Sequence, residues 1–170
     1  MKKYVSLFLP LFLLLLPGIS PSEEVYRVEN LIAVLDIETG KGVDKSLGPI
    51  LTNIVIDEKV KAGKYQVIDR ANRDKILSEQ GFQQKACVDS NCQVEMGRLL
   101  GVGKLVVGRV DKIGDNFIIF LQVINVKTAS IDSSAREMAA GDVQLITAAV
   151  NVTRQILVVF LDFCFQALLG

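Results

Sequence analysis

The chain has 170 residues, enough for one domain of ordinary size and too few for two well-cored ones. Half of it is hydrophobic, which excludes a disordered chain, and its 19 basic groups balance 19 acidic ones, so no net field gathers nucleic acid. The sequence contains no histidine, which removes the commonest general base, the histidine-dependent nucleophile arrangements and the commonest zinc ligand.

Residues 1–22 read as an export signal. Lys2 and Lys3 supply the basic start, and Val5 to Leu16 form an apolar run broken only by Ser6 and Pro10. That run is shorter than the roughly 20 apolar residues a spanning helix needs. Pro17 and Gly18 end it, and Ser20-Pro21-Ser22 places small residues before a cut at Glu23. The alternative is an uncleaved anchor. The first cysteine is Cys87, so no lipid anchor at the cut is expected, and residues 23–170 are read as a single domain.

Leu31 to Ile37 is a nearly continuous apolar run, the pattern of a strand buried on both faces. After a Gly-Lys-Gly loop, Leu47, Ile50, Leu51, Ile54 and Val55 recur at helical spacing, and Gly63 stops that helix before a short strand at Tyr65 to Ile68. Strand, helix and strand in this order predict a parallel crossover unit. Asp69 is placed as the N-cap of a helix running to about Gln80, with Arg70, Arg73, Asp74, Lys75 and Glu79 facing water and Ile76 and Leu77 facing inward. A further short helix covers Asn91 to Leu100.

Three strands follow, at Leu105 to Ile113, Phe117 to Val126 and Ser130 to Met138. Gly114-Asp115-Asn116 and Lys127-Thr128-Ala129 join them as hairpins of an antiparallel meander. Gly141-Asp142 opens a last helix, with Ile146, Ala149, Val150 and Leu157 expected inside. The fold class is α/β in the α+β sense: a mixed sheet of about five strands, an N-terminal β-α-β unit, then the meander, with helices packed on the sheet.

Cys87 and Cys92 bracket a short polar loop, and in an oxidising compartment they are expected to form a disulfide that fixes local shape. Free thiols and a metal site are the alternatives, the latter with half its ligands missing. Gly101-Val102-Gly103-Lys104 has neither the spacing nor the Ser or Thr of a phosphate loop and reads as a turn into a strand. Asn151-Val152-Thr153 matches a glycosylation sequon but falls inside a helix. Asp36 and Glu38 at the end of the first strand, with Asp69 and Arg70 at the end of the second, form the candidate ligand edge, because open α/β sheets bind ligands at the carboxyl ends of their strands. Asp69 is also simply a helix cap, and Asp36 and Glu38 are also simply a solvated strand end. Ile156 to Gly170 is strongly apolar around Asp162 and Gln166; it is either a buried helix or a docking helix presenting Phe160, Phe163 and Phe165.

Taken together, LIAVLDIETGKG, GKYQVIDRANRDKILSEQGF and CVDSNCQVEMGRLLGVGKLVVGRVDKIGDNFIIFLQVINVKTASI resemble the CsgG-like domain of bacterial envelope proteins over about residues 31–138. VIDR followed by ILSEQ, and the cysteine pair leading into MGRLLGVGKLVVGRV, carry most of the likeness. The resemblance implies a periplasmic domain related to the curli secretion lipoprotein and to a lipoprotein activator of a penicillin-binding protein, with a fold similar to the TolB N-terminal domain. The connections after Ile37 and Val126 are too short for membrane-spanning strands, so no pore is expected. Where similar sequences place a Thr-Gly turn, this chain has Thr128-Ala129. The family acts by binding proteins, which implies no catalytic residue, no cofactor and no metal. The implied partner is an envelope or outer-membrane protein, with self-association as a second mode. The alternative is a small-ligand binder or weak hydrolase at the Asp36 edge.

Overall fold

A computed structural model of the chain describes residues 30–82 and 89–169, with side chains described as far as Ile156 in the last helix. The export signal, Cys87, and the side chains of Leu157, Phe160, Phe163 and Phe165 lie outside the described residues. The order of elements is β1 (Leu31–Val34), β2 (Glu38–Thr39), α1 (Leu47–Lys61), β3 (Gln66–Val67), α2 (Arg70–Glu79), α3 (Ser90–Leu99), β4 (Lys104–Ile113), β5 (Asn116–Asn125), β6 (Ser130–Ala140) and α4 (Asp142–Leu169). The strands form one mixed sheet in the order β3-β1-β4-β5-β6, with β2 pairing onto β4 beyond the end of β1.

The crossover unit is present: β1 pairs parallel with β3 through α1, and also parallel with β4. The meander is present as well, with β4, β5 and β6 antiparallel over nearly their whole lengths. Apolar residues on both faces of β1 explain its continuous run. Ile32 and Val34 join one core with α1 and α4, whereas Ala33 and Leu35 join another with α2 and α3. Buried Leu145, Ala149, Val152 and Ile156 fix α4 on the first side of the sheet, and Leu77, Val94 and Met96 fix α2 and α3 on the second.

Local chemistry sets the boundaries. The Asp69 carboxylate accepts from the Asn72 amide at 3.1 Å, so the expected cap of α2 is made, and the Asp89 carboxylate caps α3 through the Cys92 amide at 2.8 Å. Gly101, at φ 64°, ends α3 in the left-handed region and leads into β4, as the turn reading expected.

Three expectations are corrected. The run from Leu31 to Ile37 is not one strand: Val34 is opposite Val106 but Glu38 is opposite Arg109, so one extra residue lies on the β1–β2 side. Within this bulge the Ile37 amide donates to the Thr52 hydroxyl at 2.9 Å instead of to the ladder. Arg73 does not face water: it is 1% exposed, because it shares the inward stripe of α2 with Leu77 one turn later. In α4 the inward stripe is displaced by one position, so that Leu145 is buried and Ile146 is exposed, while Ala149 is inside as expected.

Candidate functional site

The two faces of the sheet are covered unequally. α4 and α1 spread over the first face, but α2 and α3 pack only where β1, the start of β4 and the end of β5 meet. The rest of the second face, across β4, β5 and β6, has no helix on it among the described residues. Strand register fixes what stands there. Arg109, Phe120 and Arg136 form one row across the three strands, and Asp111, Ile118 and Met138 form the next. Met138 is 62% exposed and Ile113 on the same face 59%.

A cleft of about 420 Å³ opens where this bare face meets the bulge. Leu35, Asp36 and Glu38 make one wall, and Arg109, Asp111 and Phe120 part of the other, with Gln93 of α3 and Gln122 of β5 closing the ends. The bulge is what puts Glu38 there. Ile37 turns into the first core with Ile32 and Val34, so Glu38 falls on the opposite side, paired in register with Arg109.

Two of the four candidate edge residues, Asp36 and Glu38, are therefore brought to one cleft. Arg70 reaches the same place indirectly, as a partner of Asp36 at 3.0 Å. Asp69 is spent on capping α2 and lines no part of the cleft. Asp36 also accepts from the Arg73 guanidinium at 2.8 Å. Burial works to raise its pKa, but the hydrogen bonds and charges of Arg73 and then Arg70 outweigh that, and the carboxyl is held below its ordinary range. Arg109 grips Asp111 through two guanidinium nitrogens at 2.7–2.9 Å. Those bonds and the charge of Asp111, against a small opposing effect of burial and with help from Glu38, push its pKa above the usual arginine value.

Arg109, Asp111, Phe120 and Gln122 are functional candidates that the sequence reading did not single out. The Arg109–Asp111 alternation was visible in the sequence, but nothing local says which strand lies beside it. Cys92 is disulfide-bonded, two residues into the first turn of α3, while Cys87 lies outside the described residues. Among the described residues no group of three Cys, Asp or Glu side chains could hold a metal ion. No helix among them is long and apolar enough to cross a membrane.

Comparison with known proteins locates this arrangement. Residues 38–118, from β2 to the start of β5, match the family model of the curli production assembly/transport component CsgG. No curated protein sequence matches the chain. Among solved structures, the LpoB C-terminal domain of Escherichia coli is similar at a TM-score of 0.57 and 11% identity, covering 68% of this chain and 85% of that one. Lipoprotein GNA1162 of Neisseria meningitidis is similar at 0.56 and 11%, covering 72% and 94%. The PelC dodecamer of Paraburkholderia phytofirmans is similar at 0.50 and 16%, covering 75% and 85%. At these identities the structures share a fold, and residues 38–118, just under half of the chain, are similar to the CsgG family.

Proposed function

We propose that the chain is an exported, non-enzymatic module that binds other proteins during assembly at the bacterial cell envelope, in biogenesis or in secretion. The observation that carries this reading is the half of the sheet with no helix on it among the described residues, where half-buried Ile118 and Phe120 and exposed Met138 stand between Arg109 and Arg136. A soluble domain leaves such a face open where something else covers it. The family description, curli production assembly and transport, supports an envelope role, and the similar PelC structure is a dodecamer, which supports assembly as the mode. Asp36 supports the non-enzymatic part: two arginines hold its carboxyl below the ordinary range, so that it stays ionised at neutral pH and makes a poor proton shuttle. The partner is an envelope or outer-membrane protein, and the compartment is the periplasm.

Cross-linking in intact cells tests this. The full chain, expressed with its leader, captures a defined envelope protein, and Phe120→Asp loses that capture while keeping the wild-type circular dichroism. No cross-linked partner for either chain, together with no envelope defect on deletion, overturns the reading.

The cleft itself favours a second reading, a small-ligand site, since three carboxylates and an arginine converge on about 420 Å³. Thermal shift against metabolites and nucleotides separates the two. A ligand at about 100 times its dissociation constant adds about 2.7 kcal/mol, and a flat panel removes the second reading.

A further inference from the structure

Two features of the chain fit each other. One is the bare sheet face. The other is the strongly apolar end of α4, which runs on past Ile156 to Leu169. We propose that residues 157–169 of one copy dock on the bare β4–β6 face of a second copy, with Asp162 meeting Arg136. The proposal rests on the reading of that face as an interaction surface and names what covers it.

Size agrees first. Three strands at about 4.8 Å spacing, over five or six residues at about 3.3 Å, present a strip roughly 10 Å wide and just under 20 Å long. A helix is about 10 Å across, and residues 157–169 at 1.5 Å each span roughly 20 Å. One helix of this length fills the strip, and it fills the place that α2 and α3 leave empty on this side.

Charge agrees next. Residues 157–169, LVVFLDFCFQALL, contain one charged residue, Asp162. On the acceptor strip, Arg109 is committed to Asp111, whereas Arg136 has no ion pair among the described residues. An apolar helix with one carboxylate thus meets an apolar strip with one uncommitted guanidinium, and removing both from water together strengthens their attraction.

Topology then decides between the same copy and another. α4 lies against the first face, held by Leu145, Val152 and Ile156 and tied to α1 by the Arg154 bond to Glu58 at 3.0 Å. Its helix continues without a break to Leu169. An unbroken helix cannot pass around the sheet to the opposite face, so its end reaches a bare strip only on a neighbour. Donor and acceptor are different surfaces, and the contact is head-to-tail.

Charge exchange tests the proposal in the full exported chain, carrying Cys164→Ser so that no intermolecular disulfide forms. Sedimentation equilibrium should show concentration-dependent association. Arg136→Glu and Asp162→Arg should each weaken it by at least tenfold, and the double variant should recover it to within a few fold. Circular dichroism and thermal melting of each variant keep loss of folding apart from loss of docking. A monomer at all concentrations, association unaltered by either single change, or a double variant as weak as the singles overturns the proposal. So does co-sedimentation with anionic lipid vesicles that depends on residues 157–169 but not on Arg136, since the helix then has a lipid occupant. If Phe120→Asp abolishes capture of an envelope partner while self-association is unchanged, this inference falls and the interaction reading of the face stands.

Discussion

The Arg73 guanidinium donates to the backbone carbonyl of Val34 and, at 2.8 Å, to the carboxylate of Asp36. It joins the last residue of β1 to the bulge that follows, from inside the second core. The charge is fully committed, since Asp74 also accepts from it, at 2.6 Å.

Replacing Arg73 with Met leaves the Val34 carbonyl without that donor and Asp36 with Arg70 but not Arg73. The expected cost is about 2–3 kcal/mol, the range for a charged hydrogen bond lost at a buried site. Urea unfolding measures it, and Arg70→Met, whose side chain is partly exposed, should cost well under half as much. Asp36 has a lowered pKa in the folded state, so its contribution is present above the unfolded value of about 3.9 and fades as pH falls through the lower folded value. Asp36→Asn should flatten that acid limb.

Lys59 is 1% exposed on α1 and has no carboxylate beside it among the described residues. Burial, with a smaller contribution from the charge of Lys64, lowers its pKa to about 8. The unfolded chain keeps this proton to about pH 10.4. Between those two values the unfolded state holds more protons, so stability should rise with pH. Lys59→Met should remove that slope and raise stability at pH 7 by about 2–3 kcal/mol, read from denaturant midpoints on either side of pH 8.

Gly97 lets α3 sit against the end of β5. A methyl group there would lie 2.4 Å from Cγ2 of Val126, which is itself buried. Alanine gains about 1 kcal/mol of helix propensity, but overpacking costs about 1–3 kcal/mol. Gly97→Ala should therefore destabilise by about 1 kcal/mol, and Val126→Ala in the same chain should cost less than it does alone.

Ala129, in the turn between β5 and β6, has φ 58°, the one positive value outside glycine among the described residues. A left-handed L-residue costs about 1–2 kcal/mol, partly offset by the extra unfolded-state freedom of glycine. Ala129→Gly should stabilise by about 0.5–1 kcal/mol in thermal melts.

Peptide mapping of the exported protein should find Glu23 at the N-terminus and Cys87 linked to Cys92. An N-terminus at Met1, or Cys92 linked to Cys164, would contradict the expectation. Removing the link with Cys87→Ser should leave the melting temperature within a few degrees, because so short a loop restrains little chain entropy.

What was legible in the sequence was whatever is local. The cap at Asp69, the hairpins around Gly114 and Thr128, and the doubly buried β1 each announce themselves within a few residues. What was not legible depends on partners far along the chain. Arg73 reads as a wet residue until Val34 and Asp36 are seen beside it, 39 and 37 residues away. The break after Val34 reads as continuous strand because its cause is the hydroxyl of Thr52. In α4, Leu145 and Ile146 are equally apolar, and only the position of the sheet selects the first. The cleft was half legible: the wall holding Asp36 and Glu38 lies on one strand end, whereas the wall holding Arg109, Asp111 and Phe120 exists only once β4 has been laid beside β2.

The extra residue between Val34 and Glu38 is a spare in the register, four steps on this side answering three on β4. Substitutions at Asp36 alter charge and leave the sides of the sheet as they are. Deleting Asp36 would leave three steps against three, a regular strand in which Ile37 still faces the layer under α1 and Glu38 still stands opposite Arg109. The stretch carries one residue more than the sides of the sheet require.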